Sequence, residues 1–229
     1  INGIKDSNPP LIGDYTVGVS GSFSNISDAI TKLNQSGVGG PVRFLLTDNF
    51  YFIFPLTIDI LRSSLPNADN PFTIKPYTGV SPAIYSMMPS QSLLKLYGAD
   101  FIIIDGSNTT GGITKDMTFN ASGETAIWMS SKSSSNGATN NIVKNCIIKV
   151  SDLNPSLNYG IIIGGGTNTT DASEFPNTNI TIQNNTITGT SNAAIFQNGY
   201  PNTPYDQNIA ITGNIFGSNL SKLGQRGLM

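Results

Sequence analysis

The chain contains the stretch Asn140-Asn141-Ile142-Val143-Lys144-Asn145-Cys146-Ile147-Ile148. Two related stretches follow it: Asn179-Ile180-Thr181-Ile182-Gln183-Asn184-Asn185-Thr186-Ile187 and Asn208-Ile209-Ala210-Ile211-Thr212-Gly213-Asn214-Ile215-Phe216. Each is a short run rich in β-branched residues, then Asn or Gly, then Asn or Cys, and then a second apolar run. The stretches begin about 39 and about 29 residues apart, within the range of structural repeats.

This repeated pattern predicts the fold. Alternating aliphatic residues indicate a strand with one inward face. Gly, and Asn more than most residues, tolerate left-handed dihedrals, so the centre of each stretch predicts a sharp bend. We expect Asn184 to point inward into a ladder of stacked amides, and Cys146, which aligns with Asn185 and Asn214, to be a small buried residue. The prediction is an all-β, right-handed parallel β-helix of roughly six to eight coils.

The N-terminal part predicts one helix. Ser24 is the expected N-cap and Gly37 the expected stop. The apolar residues between them follow helical spacing: Ile26, Ala29, Ile30 and Leu33. We predict an entry segment and capping helix over residues 1–41 that covers the open end of the first coil. Coils then occupy residues 42–229, and we expect them to continue beyond that point.

Further apolar runs are assigned to the same coils. Residues 51–60 predict one strand that Pro55 interrupts. Three runs between or after the Asn-rich stretches are expected to be the second strands of their coils: residues 126–129, 160–164 and 193–196. The polar residues 130–139 and 165–177 predict loops that project from one side.

Composition excludes several classes of function. Charged residues make up only 11% of the chain and the net charge is -2, and without a Lys/Arg run nucleic acid is not a predicted partner. The longest apolar runs are too short to span a bilayer, so no membrane insertion is predicted. The absence of histidine removes Ser-His-Asp and Cys-His catalysis and histidine-bearing zinc sites. No cofactor is predicted.

The remaining candidates for chemistry are scattered. The acids are Asp105, Asp116, Asp152, Asp171 and Glu174, and the isolated cations of the central body are Lys75, Lys95, Lys144 and Lys149. Asp105 precedes a glycine, which predicts an Asx-type bond to the backbone. No catalytic or metal-binding residue is assigned. The loop aromatics Phe175, Tyr200 and Tyr205 are candidate glycan contacts, with lids that fold back over the solenoid as the alternative.

Residues 14–18, 23–30 and 33–44 resemble the N-terminal cap of large secreted proteins of Bacteroidota that carry right-handed parallel β-helix repeats of the pectin-lyase-like superfamily. Residues 72–76, 101–108 and 140–148 continue that pattern in the same order. The resemblance implies a secreted or cell-surface location and cargo of type IX secretion. It implies no particular reaction, because one fold hosts many functions.

Together these observations favour a noncatalytic exported scaffold of a large cell-surface or secreted protein, used for adhesion, filament or matrix building, or glycan contact. Its expected partners are a glycan or a cell-surface protein, with secretion machinery or end-to-end filament contact as further expectations. The alternative is a polysaccharide lyase or glycoside hydrolase whose catalytic residues converge only in three dimensions.

Overall fold

The structure is a computed structural model that describes residues 8–61, 64–89, 91–151, 158–217 and 226–229. These residues form a parallel β-solenoid of about six coils, with one helix near the N-terminus. Every pairing between the strands is parallel. The predicted fold class, a parallel β-helix with an N-terminal helix, is confirmed. The division at residue 41 stays a prediction.

Each coil supplies one strand to each of three sheets, named here A, B and C. Sheet A contains seven strands: β1 (Leu11–Val17), β2 (Val38–Leu46), β5 (Phe72–Pro76), β8 (Ile102–Asp105), β11 (Ile142–Lys144), β14 (Thr181–Gln183) and β17 (Ala210–Thr212). Sheet B contains six: β3 (Phe50–Ile53), β6 (Ala83–Ser86), β9 (Met117–Ala121), β12 (Cys146–Val150), β15 (Thr186–Thr188) and β18 (Ile215–Phe216). Sheet C contains β4 (Leu56–Ile58), β7 (Leu94–Tyr97), β10 (Thr125–Ser130), β13 (Tyr159–Gly164), β16 (Ala193–Gln197) and β19 (Arg226–Leu228).

Two strand predictions are wrong. The apolar runs of β10, β13 and β16 are the third strands of their coils, because the bend inside each Asn-rich repeat already separates a sheet A strand from a sheet B strand. The predicted single strand over residues 51–60 is two strands, β3 and β4, which belong to different sheets. Pro55 lies at the corner between them, where its missing N–H removes no ladder bond.

The helix α1 (Ile26–Ser36) closes the N-terminal end of the coils. Its buried side chains are those predicted, with Ser36 in addition, and it packs against β1, β3 and β4. The N-cap is Asn25 and not Ser24, because the Asn25 side chain accepts a bond from the Asp28 backbone N–H at 2.8 Å. Gly37 ends the helix as predicted, with a φ of 66° that suits glycine.

Left-handed residues turn the chain at two points in the repeats. The predicted bend is confirmed at Asn145, Asn184 and Gly213, where φ is 59°, 52° and 63°. A second row, which the sequence did not predict, precedes sheet A: Phe101, Asn140, Asn179 and Asn208 have φ between 54° and 57°. Asn tolerates this region of backbone conformation better than most residues, whereas Phe does not. The turn before β8 is therefore strained at Phe101.

Amide ladders join these turns from coil to coil. Asn145 donates to Asp105 at 2.7 Å, and Asn179 donates to Asn140 at 3.0 Å. A third ladder is fully inside the solenoid, where Asn185 accepts from the Cys146 backbone N–H and donates to the Val143 carbonyl, both at 2.9 Å. The inward residue is therefore Asn185 and not Asn184, which is only half-buried. Cys146 is buried as predicted.

Candidate functional site

Three exposed phenylalanines lie on the edge strand β3 and directly after it. Phe50, Phe52 and Phe54 are 63%, 66% and 55% exposed. They alternate with Tyr51 and Ile53, which are buried in the core. Alternation is required by the strand, because successive side chains point to opposite faces. The three rings therefore all face outward from the N-terminal end of sheet B.

The next coil completes this surface. Tyr85 pairs with Phe52 in the register of β3 and β6, and their rings stack with centroids 5.3 Å apart and planes 20° apart. Phe50 lies 6.5 Å from the same Tyr85 ring. Phe50, Phe52, Phe54 and Tyr85 are called the aromatic platform below. An exposed apolar patch on rigid strands is typical of a contact surface.

The aromatic platform was missed at the sequence level. The segment of residues 50–54 is apolar at every position, so period-two alternation cannot say which face is inward. The sequence offers one hint, because four of the residues 50–54 are aromatic and the inward face of one strand cannot bury them all. That signal becomes decisive only when the inward face is known.

The sequence-predicted glycan contacts come together only in part. Phe175 and Tyr200 are both half-buried, and their ring centroids lie 6.3 Å apart. Tyr205 is 56% exposed in the same region as Tyr200. Their role in glycan contact stays a prediction.

The loop of residues 165–177 folds back over the outer face of sheet C. Sheet C also carries a small separate hydrophobic cluster, which contains Trp128, Tyr159, Ile162 and Ala193 with Phe196 packed against it. Glu174 accepts from Ser131 and from the Gly166 backbone N–H, and Thr169 donates to Glu124 at 2.6 Å. These bonds hold the loop against the solenoid as a lid, whereas both expectations for the loop aromatics stay predictions.

Lys95 is half-buried beside this lid. Its ammonium lies 3.7 Å from the centroid of the Trp128 ring and donates to the Gly166 carbonyl at 2.6 Å. Burial lowers the pKa of Lys95, and the Glu174 carboxylate offsets part of that shift. The contacts of Lys95 are those of a residue that holds the lid.

The candidate acids are each engaged in local structure. Asp105 accepts from the Ser107 backbone N–H, as the Asx prediction requires, and forms an ion pair with Lys144 at 3.4 Å. Asp116 accepts from Thr114 at 2.6 Å, and Asp171 accepts from the Asn168 backbone N–H at 3.0 Å. Asp152 lies outside the described residues.

A shallow groove runs along the outer face of sheet A. It has a volume of about 360 Å³ and crosses four coils, with a lining of Ala68, Pro71, Phe101, Ile103, Asn140, Ile142, Asn179 and Thr181. Its lining carries no charge, so it offers neither an acid nor a base for a reaction.

Two further features were sought in the described part of the chain. No group of three or more Cys, Asp or Glu side chains there could hold a metal ion. No helix there has the length and hydropathy to cross a membrane.

Comparisons with protein-family models, with curated proteins and with solved structures each gave no significant match to this chain. The strand topology places the protein in the class of parallel β-solenoid scaffolds. The exposed aromatic rings of the aromatic platform set this end of sheet B apart from the other surfaces described above.

Proposed function

We propose that this chain is a noncatalytic, exported scaffold of a secreted or cell-surface protein, and that the aromatic platform holds the sugar rings of a polysaccharide. The observation that carries the proposal is the outward row of Phe50, Phe52 and Phe54 with Tyr85 stacked on it. Export is supported by the resemblance of residues 14–44 to the caps of secreted Bacteroidota proteins.

The chemistry of the platform suits sugars. The face of an aromatic ring is electron-rich and attracts partly positive hydrogens, such as those on the C–H face of a sugar ring. The rings are held by the backbone ladder of β3 and β6, so little conformational freedom is lost when a ligand stacks on them. The hydroxyl of Thr118 and the amide of Asn120 lie on the same face, in register with Ala83 and Tyr85, and can bond to sugar hydroxyls.

A panel of soluble polysaccharides in affinity electrophoresis tests the proposal. The variants are Phe52→Ala and Tyr85→Ala, with Tyr77→Ala as the matched control because Tyr77 is also an exposed aromatic and lies outside the strands of sheet B. Each platform variant is expected to weaken binding by about 0.5–1.5 kcal/mol, the range measured for aromatic pairs. Stability should change by no more than about 0.5 kcal/mol, since these side chains are at the surface.

Two results would contradict the proposal. One is equal retention of the wild type and both platform variants in every gel. The other is a wild type that sediments as a dimer while Phe52→Ala sediments as a monomer. In that case the aromatic platform is an interface between copies of this chain.

A further inference from the structure

The outward row that begins in the aromatic platform reaches a free amine three coils further along. Strand register places Phe52 beside Tyr85, Tyr85 beside Asn120, and Asn120 beside Lys149, in four successive coils. Lys149 is exposed and has no ion-pair or hydrogen-bond partner among the residues that the structure describes. Aromatic rings, an amide and an ammonium therefore follow one another along the solenoid axis.

A second amine reaches the same face. Lys115 lies in the loop before β9, and its ammonium donates to the hydroxyl of Thr186 at 3.1 Å. Thr186 is in β15, in register with Ile147, two residues before Lys149. Both cations thus lie on the part of sheet B beyond the aromatic platform.

This face departs from the charge of the chain as a whole. The chain has 14 acids against 12 cations, yet none of the six strands of sheet B contains Asp or Glu. The acid that follows Lys115, Asp116, accepts bonds from Thr114 and from the Asn108 backbone N–H. Two amines therefore reach a sheet whose own strands carry no carboxylate, and an ammonium attracts anions.

The spacing suits a linear polymer. Neighbouring strands lie about 4.8 Å apart, so two steps from Tyr85 to Lys149 span about 10 Å. A chain laid along the solenoid axis can place one sugar on Tyr85, the next beside Asn120, and a further substituent at Lys149.

We propose that the ligand is an acidic polysaccharide that runs along the solenoid axis, stacks on Phe52 and Tyr85, and places its carboxylate or sulfate groups against Lys149 and Lys115. This inference rests on the proposed function and adds the ligand's charge and direction. A nucleic acid is disfavoured because it carries a charge on every nucleotide, and two amines on an acidic protein neutralise few of them.

Matched polymers test the inference. Carboxymethylcellulose and hydroxyethylcellulose share a backbone and differ in charge, as do alginate and carboxyl-reduced alginate. For at least one pair, the wild type should bind the acidic member at least about fivefold more tightly at low salt. Raising the salt should remove this preference, since exposed charges are screened within about 10 Å at 0.1 M.

Substitution of the two lysines tests whether they contact the acidic polymer. Lys149→Gln and Lys115→Gln should each weaken binding to the acidic polymer about twofold to fivefold, the range of an exposed ion pair. Binding to the neutral polymer should not change. Lys32→Gln is the matched control, because Lys32 lies on the helix α1, outside sheet B, and its ammonium donates to Asn8.

The outcomes separate the two proposals. If platform variants lose binding but acidic and neutral polymers bind equally, the charge inference is wrong and the proposed function stands. If Lys149→Gln and Lys115→Gln bind the acidic polymer as the wild type does, the inference is also wrong. Tighter binding of a single-stranded oligonucleotide than of any polysaccharide overturns it too. If no polymer binds the wild type, both proposals fall.

Discussion

Asn184 donates a hydrogen bond through its Nδ2 to the Oδ1 of Asn145, 39 residues earlier in the chain, at 2.8 Å. The bond joins the same left-handed turn in two successive coils. It shows how this solenoid keeps its register, since each amide can accept from the next coil and donate to the previous one. The stability of the coils therefore depends on side chains at the turns as well as on the aliphatic core.

Breaking the buried ladder at Asn185 should destabilise the fold more than breaking the exposed ladder at Asn208. Asn185→Ala removes the partners of the Cys146 N–H and the Val143 carbonyl, which are both inside the solenoid. Each buried polar group left unpaired costs about 1–3 kcal/mol, so we expect a loss of about 2–4 kcal/mol in urea unfolding. Asn208→Gly is the control, because it keeps the left-handed turn and removes only an exposed bond. Equal losses for both variants would contradict this account.

The backbone conformation of Phe101 should decide which substitution at this position gives the more stable protein. Its φ of 54° matches that of Asn140 in the next coil. Phe101→Asn and Phe101→Val both remove the ring. The difference in stability between the two variants therefore measures how well each residue adopts the left-handed backbone. We expect Phe101→Asn to be more stable by about 1–2 kcal/mol in thermal unfolding, because β-branched residues are disfavoured in the left-handed region. A Val variant as stable as the Asn variant would show that this turn is unstrained.

Lys95 should titrate below the ordinary lysine value of 10.5, because burial lowers its pKa. Between that lowered pKa and 10.5 the unfolded chain binds more protons than the folded one, so this residue makes stability rise with pH in that window. Trp128 is the one tryptophan in the sequence and lies 3.7 Å from the Lys95 ammonium. Its fluorescence should change as Lys95 loses its proton.

The control for this titration is Lys95→Met, which should lose the fluorescence transition. Lys149→Met removes an exposed lysine and should keep it. A transition in wild-type protein that persists unchanged in Lys95→Met would assign the signal to another group.

Cys146 should be inert in the folded protein. It is fully buried, and burial raises the pKa of its thiol, with the nearby Asp105 carboxylate adding to the shift. Thiol labelling at pH 8 should therefore be slow in native buffer and fast in urea, with a native rate limited by opening of the coils. Rapid labelling without denaturant would mean that the ladder around Cys146 opens readily.

Much of the fold could be predicted from particular residues. The Asn-rich repeats predict parallel strands and the bends at Asn145, Asn184 and Gly213, because few residues other than Asn and Gly adopt a positive φ. The helix was predicted from its apolar spacing, although its cap is Asn25 and not Ser24. Both are side chains that can cap a helix, and local sequence does not rank two adjacent ones.

The candidate site could not be predicted in the same way. The loop aromatics Phe175 and Tyr200 were named because loops are exposed, yet both are half-buried against each other. The sequence does not indicate that Phe50, Phe52 and Phe54 face outward, because apolar strands are expected to be core. Its neighbour in space, Tyr85, is 33 residues from Phe52 and meets it only through strand register.

By itself the sequence determined the solenoid, its capping helix and the bends at Asn145, Asn184 and Gly213, because those depend on local backbone preference and on periodic burial. Only the tertiary structure decided which face of residues 50–54 is outward, which side chains stack across coils, and that Lys149 and Lys115 share the sheet of the aromatic platform. Those relationships depend on the register of strands about 30 to 40 residues apart, and no local pattern in the chain specifies that register.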